Sequence, residues 1–396
     1  MNHSPGTWPT IPFHGQRLWE TRTTWADMNP SQGVYDWSHL DKWLKEGREH
    51  KVAYMLTLAL TPQWASSAPD DPQCNDAPGE CDPPDDLTTD GLGTDQHWID
   101  FLTAVVNHAA GRIKYWEIWN EPYEKFYWNG TYRQLVRMAQ DARMVIQSID
   151  PNARVLNGGV PAQHRFALKW WYGYAAAGGF NYADIIALHG DVRTFPEECG
   201  VYPQPENLIN VAAALETVLL QYGQDEKPVW DTEASWGPTV NDCFNDQDLQ
   251  AAFLARFYFM HRSLGFGRFY WRAWIDQDGG LYDFQNGIHK AGIAYGVIHY
   301  WLLGNTLITP CAALGTLWTC DFTGPDGYVG QAIWDTSKSC SDGVCDTGNQ
   351  TVDPQFVDYV DLDGNTTQIE DNTVPVGAKP IWLENMQDQM RKLMSR

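Results

Sequence analysis

The sequence predicts an α/β fold: a (β/α)8 barrel of the TIM type, carrying a small antiparallel β subdomain at its C-terminal end. Three observations predict it. Short apolar runs alternate with segments of helical period over most of the chain. The alternation continues to residue 304, long enough for a series of parallel βα units that closes into a barrel. From residue 305 onward the pattern changes to short alternating runs separated by Gly, Asp and Pro, which read as antiparallel strands. Residues 1–304 are therefore assigned to the barrel and 305–396 to a β-rich appendage packed on it.

The barrel strands are expected at 17–19, 52–60, 113–119, 155–157, 184–188, 228–231 and 267–271. Helices are expected before each strand after the first, at 37–50, 97–110, 132–149, 166–177, 208–222 and 249–264, with a last one at 291–303. The helix at 132–149 stops at Asp150-Pro151, because the residue before a proline is pushed out of the helical region. These runs supply seven strands, one short of eight, and the remaining one is expected at or before the N-terminus, around Met1 to His3. In the appendage the alternating runs fall at 314–320, 328–334, 356–361, 366–370 and 380–383. Residues 69–95 form a Pro/Asp/Gly-rich loop after the second strand, long enough to be a wall of a functional site. The pairing of Asp361, Asp363 and Gly364 reads as a hairpin turn rather than a calcium loop, since Tyr359 breaks the ligand pattern.

Composition narrows the function. With 27 Lys and Arg against 50 Asp and Glu, the net charge is −23, the wrong sign for a protein that binds nucleic acid by displacing counterions. The apolar share of 43% suffices for a folded core. No apolar run approaches the roughly 20 residues that span a bilayer, so no membrane partner is expected. No charged and apolar leader opens the sequence, so any signal peptide is expected to have been removed or never present. The eight cysteines fall in sequence-near couples, 74 with 81, 199 with 243, 311 with 320 and 340 with 345, each in a polar loop. None has zinc-site spacing, and loop disulfides suit a secreted or periplasmic protein. The 20 Trp, 18 Tyr and 15 Phe include many flat apolar rings with one polar edge, the surface on which sugars stack.

Catalytic groups of such a barrel sit at the C-terminal ends of its strands. Two strands end in a glutamate flanked by tryptophan: Trp116-Glu117-Ile118-Trp119-Asn120-Glu121-Pro122 and Trp230-Asp231-Thr232-Glu233-Ala234-Ser235-Trp236. Glycoside hydrolysis needs such a pair, one carboxyl to protonate the leaving oxygen and one to attack the anomeric carbon or activate water. Glu117 lies inside a strand and reads as structural.

Asn-Glu-Pro after one strand and Thr-Glu at a later one resemble glycoside hydrolase clan A, the retaining (β/α)8 hydrolases. Gly15 to Trp19, Trp25 to Asp27, Tyr35 to Trp37 and Thr61 to Ala65 resemble family 39 and its relatives. The resemblance implies that Glu121 is the acid/base and Glu233 the nucleophile. It places their strands fourth and seventh, hence the strand expected at or before Met1. Asn120 is then the group that bonds the sugar 2-OH, and Arg17 the cation beside Glu233. His189, at a strand end, is placed to bond sugar or Glu233. Trp271 and Trp274 are expected to floor the subsite of the cleaved sugar, with Trp64 and Trp128 beside neighbouring subsites. No metal and no cofactor is implied. The expectation is a monomeric retaining glycosidase acting on a β-linked plant or microbial oligosaccharide or polysaccharide. Two alternatives are a non-catalytic carbohydrate-binding barrel and a uronide-specific glycosidase, the latter needing pocket cations beyond Arg17, Arg193 and Arg272.

Overall fold

The computed structural model describes residues 8–162, 165–192, 203–237, 244–276 and 279–386. Seven parallel strands form one sheet in the order of the chain: β1 (Gly15–Leu18), β2 (Ala53–Leu58), β3 (Tyr115–Asn120), β4 (Arg154–Pro161), β5 (Ile186–His189), β6 (Val229–Ala234) and β7 (Arg268–Trp271). The sheet curls until β7 lies beside β1, where Tyr270 packs against Gly15, and it is nearly closed as a barrel. The strands have sheet faces turned to the helices and to the lumen, which is why they read as apolar runs rather than alternating ones. The eighth strand expected near Met1 lies outside the described residues.

Helices α1 (Trp25–Met28), α2 (Ser38–His50), α3 (Gln96–Ala109), α4 (Tyr132–Ile149), α5 (Arg165–Ala176), α6 (Leu208–Gln221), α7 (Gln247–Ser263) and α8 (Lys290–Leu302) occupy the crossovers and the end of the series. Their starts are locally encoded. Thr24 and Thr131 each open a helix with a capping box: the hydroxyl accepts from the backbone N–H of Asp27 or Gln134, and the Thr N–H donates back to that residue's side chain. Asp246 caps α7 by accepting from the amides of Asp248 and Leu249. Two cores sit on opposite sides of the sheet. The main one fills the space between strands and helices, and a small one of Met55, Leu156, Ile185, Ala187, Trp230 and Tyr270 fills part of the lumen.

A hairpin of β8 (Tyr282–Asp283) and β9 (Gly287–Ile288) follows the barrel strands. Beyond α8 the chain is antiparallel, as expected. One sheet runs β10 (Thr306–Leu307), β12 (Leu317–Thr323), β13 (Val329–Asp335), β20 (Ile381–Glu384), β17 (Asp358–Val360), β18 (Thr366–Gln368), with β11 (Ala312–Leu314) against β12. Two further pairs join β14 (Cys340–Ser341) with β15 (Val344–Cys345) and β16 (Thr347–Thr351) with β19 (Thr373–Gly377). The turn between β17 and β18 is the expected hairpin through Asp363-Gly364. Phe259 of α7 and Trp301 of α8 lie nearly parallel to Trp382 of the sheet, so one aromatic stack joins helices to appendage.

Disulfides join Cys74 to Cys81, Cys311 to Cys320 and Cys340 to Cys345. The fourth expected couple, Cys199 with Cys243, lies outside the described residues. Among the described residues no helix is long and apolar enough to cross a membrane.

Candidate active site

The ends of β1, β3, β5, β6 and β7 bring Arg17, Glu117, Asn120, Glu121, His189, Glu233 and Arg272 together. Arg17 is the hub. Its guanidinium is fully buried and donates from Nε to Glu117 Oε2 at 2.7 Å, from Nη1 to Glu233 Oε2 at 2.6 Å and from Nη2 to Asn120 Oδ1 at 2.7 Å. A buried charge needs partners of this kind, and two carboxylates supply them. The same Glu117 oxygen, Oε2, also accepts from Thr57 Oγ1 at 2.7 Å. The glutamate read as structural is thus the support of the site arginine.

Glu233 is met by a different arginine at each oxygen, because Arg272 Nη1 donates to Oε1 at 2.6 Å. Arg272 also donates to Asp276 at 3.0 Å and Glu20 at 3.3 Å. Burial alone would push the Glu233 carboxyl up. The charges of Arg272, His189 and Arg17 outweigh it and hold the group well below the usual carboxylate range. It is therefore ionised at neutral pH.

Glu121 is aimed by its backbone. Trp119 and Glu121 both take left-handed conformations, with φ of 75° and 40°, which non-glycine residues rarely adopt. The Glu121 amide donates to Gly159 O of β4 at 3.1 Å, which holds the turn in place. Such residues cost on the order of 1–3 kcal/mol each and concentrate at functional sites. The Glu121 side chain keeps 18% of its surface open, and its Oε1 lies 3.0 Å from His189 Nδ1. Burial works against a charge on His189, but the bond to Glu121 and the carboxylates of Glu233 and Glu121 raise its pKa. The other nitrogen of this buried ring, Nε2, has no hydrogen-bond partner among the described residues. It rests on Gly159, where an added Cβ would lie 2.3 Å away. Glycine is required there by contact, not by backbone angle.

The expected aromatic platforms divide differently. Trp128, Trp271 and Trp274 expose 2% of their surface or less. Trp128 packs edge-on against Trp119 at 4.7 Å and Trp271 against Trp236 and Phe253, while Trp274 stacks on Tyr282 at 5.3 Å. In this structure they are core residues, not open sugar floors. The reason is alternation: Trp271 turns toward α7, so its neighbour Arg272 takes the lumen position. Trp64 is half-buried, with Nε1 donating to Asn29 O at 2.7 Å and its ring edge-on to His97. Next to Trp128 it is Tyr127, edge-on to Trp19 at 5.9 Å, that stands within the field of the site carboxylates. Burial and then the charges of Glu121 and Glu233 push its hydroxyl well above the ordinary range. The disulfide-clipped loop flanks it, through the bond from Asn75 N to Phe126 O at 3.0 Å.

Sequence reasoning placed Glu121, Glu233, Asn120, Arg17 and His189 at strand ends, and the structure brings all five together. It did not single out Arg272 as a partner of the nucleophile candidate, nor Glu20 and Asp276 as the carboxylates that hold Arg272. Arg193, named for a uronide pocket, lies outside the described residues.

No protein-family model matches the sequence, and no curated protein matches it. Solved structures do. A family 39 glycoside hydrolase from the gut symbiont Bacteroides cellulosilyticus WH2 superposes with a TM-score of 0.64 at 17% identity, covering 93% of this chain and 74% of that one. The family 39 enzyme from Xanthomonas axonopodis pv. citri gives 0.62 at 16%, covering 94% and 87%. The family 30 subfamily 8 xylanase Xyn30A from Clostridium acetobutylicum gives 0.54 at 15%, covering 93% and 88%. The chain therefore has the fold of the clan A glycoside hydrolases of families 39 and 30, a parallel barrel with a C-terminal β domain.

Proposed function

We propose that this chain is a retaining glycosidase that cleaves β-linked sugars by double displacement. The observation that carries the reading is the double arginine clamp on Glu233, one strand-end carboxylate kept ionised while the other, Glu121, is held against His189. Glu233 attacks the anomeric carbon as the glycosidic C–O bond breaks, and the proton of Glu121 passes to the leaving oxygen. A water then loses its proton to Glu121 and attacks the same carbon, and the ester to Glu233 breaks. In the acid form His189 donates from Nδ1 to Oε1, which leaves Oε2 for the transferred proton. Arg17 fixes Asn120 by its oxygen, so its Nδ2 is the donor for the sugar 2-OH, a bond that strengthens at the transition state.

The charge at the site favours a neutral sugar. Arg17 and Arg272 are both engaged by carboxylates, and Glu20, Asp276 and Glu117 add negative charge around them. A uronate would enter against that field. The fold neighbours, a xylanase among them, are enzymes of carbohydrate breakdown. With three disulfides among the described residues, we place the protein outside the cytoplasm, as a monomer whose residues 1–304 carry the chemistry and 305–396 support them.

Substitution tests the assignment. Glu121→Ala should lower kcat by about 10²–10⁴, the usual worth of a general acid. Glu233→Ala should be nearly inactive, and added azide should restore turnover as the inverted glycosyl azide. Full turnover of Glu233→Ala on aryl β-xylosides or β-glucosides would remove the reading.

A further inference from the structure

We propose that Asp231 and His261 form a positioning pair that holds the backbone of the nucleophile and the backbone just after His189, the partner of the acid/base, an inference that rests on the glycosidase reading above. Asp231 does not reach the lumen. It is fully buried two residues before Glu233, at the point where β6 leaves register with β7. Asp231 pairs with Phe269 and Ala234 with Trp271, so β6 holds one residue more than its partner across that stretch. This bulge turns Glu233 toward Arg17 and Arg272. A bulge also takes a backbone N–H out of the ladder, and a buried N–H must find another acceptor.

The Asp231 carboxylate is that acceptor. Its Oδ1 receives the amide of Glu233 at 3.3 Å and the amide of Gly190 at 3.1 Å. Gly190 follows His189, the partner of Glu121. One oxygen therefore ties the backbone of the nucleophile to the backbone of the residue that backs the acid/base. Gly190 is small for this reason, since a Cβ there would lie 2.2 Å from Asp231 Oδ2.

The second oxygen is held from the helix layer. His261 of α7 brings Nε2 to 2.6 Å from Oδ2, while its Nδ1 lies 2.7 Å from Phe257 O. A carbonyl only accepts, so Nδ1 carries a proton, and the short contact at Nε2 holds one more between ring and carboxyl. The ring is itself clamped, stacked on Phe269 at 3.9 Å and edge-on to Phe257 at 4.5 Å. The chain of contact runs from α7 through His261 and Asp231 to Glu233 N and Gly190 N. Neither residue touches the reacting atoms. Both act by fixing where those atoms stand.

The test separates positioning from mere folding. The probes are 2,4-dinitrophenyl 2-deoxy-2-fluoro-β-xyloside and -β-glucoside, whose sugar stays on the nucleophile as an ester and is read by intact mass. Asp231→Ala should lower the trapping rate constant about 100-fold, the scale of an ångström-sized misplacement, with little change in the probe's binding constant. Asp231→Asn should stay within a few-fold of wild type, because its amide oxygen still accepts both N–H groups and its NH2 donates to His261. His261→Ala should show the same split in weaker form, and it carries the test if Asp231→Ala does not fold. A folded Asp231→Ala or His261→Ala trapped at the wild-type rate would overturn the proposal, as would Asp231→Asn falling as far as Asp231→Ala. Wild type that is never labelled at Glu233 would instead defeat the glycosidase reading, and this inference with it.

Discussion

Glu233 carries an arginine on each oxygen, and that single fact orders the residue scale. Two cations leave its carboxyl ionised far below neutral pH and point both lone-pair edges into fixed directions. Removing one cation should be visible in the pH profile. Arg272→Met takes away the largest of the influences that lower the Glu233 pKa, so that pKa rises. The acid limb of kcat/KM, which reports the free enzyme's essential base, should then move to higher pH than in wild type. An unmoved limb would show that Arg272 does not tune the nucleophile. At this scale the sequence was legible where chemistry follows position. Glu121, Asn120 and Glu233 stand just past apolar runs, and a barrel puts such residues on one face. Arg17 beside Glu233, 216 positions away, was legible too, because both stand at strand ends of one barrel. The partners of Arg272 were not: Arg272 and Glu20 are 252 positions apart, and no local pattern announces that pair. The tryptophans failed for a related reason. A strand end tells where a ring is along the barrel axis, and Trp271 against Arg272 shows that it does not tell which side the ring faces.

Elements position these residues through small departures from regularity. The left-handed turn at Glu121 and the bulge in β6 each interrupt a strand at the catalytic end. Gly159 is the third such point, on β4 between the two. Gly159→Ala places a methyl 2.3 Å from the His189 ring, so the ring must move and its bond to Glu121 lengthens. Overpacking of this kind costs about 1–3 kcal/mol. A lowered melting temperature together with reduced kcat is expected, and a variant matching wild type in both would refute the contact. Strand and helix existence was legible from run length and period, because parallel strands buried on both faces leave uninterrupted apolar runs. Strand ends were less so: β4 extends through Pro161, where the run was read as ending at Asn157. The extra length is Gly158-Gly159-Val160-Pro161, a stretch whose glycines serve close approach rather than strand propensity.

The whole molecule couples this site to a helix layer and an appendage. Its acidity also has a structural consequence away from the site. Asp95 is fully buried at the start of α3 beside Asp141 of α4. Burial, followed by its bond to Asp141 and the charges of Asp141 and Asp86, pushes the Asp95 carboxyl up to about 9. The native state therefore holds a proton that the unfolded chain has released above about pH 4. Stability from this group is complete below that pH and is lost as pH rises toward 9. Asp95→Asn keeps the neutral form permanently, so it should flatten the fall in melting temperature between pH 6 and 9. A fall as steep as wild type would place the cause elsewhere.

The central claim is that Glu233 forms a covalent sugar ester which water then opens from the opposite face, the one the leaving group left. Proton NMR of the first product released from an aryl β-glycoside tests it most directly. The account predicts that the β-anomer appears first and only later equilibrates to α. An α-anomer appearing first would mean inversion in a single displacement, and would contradict the account.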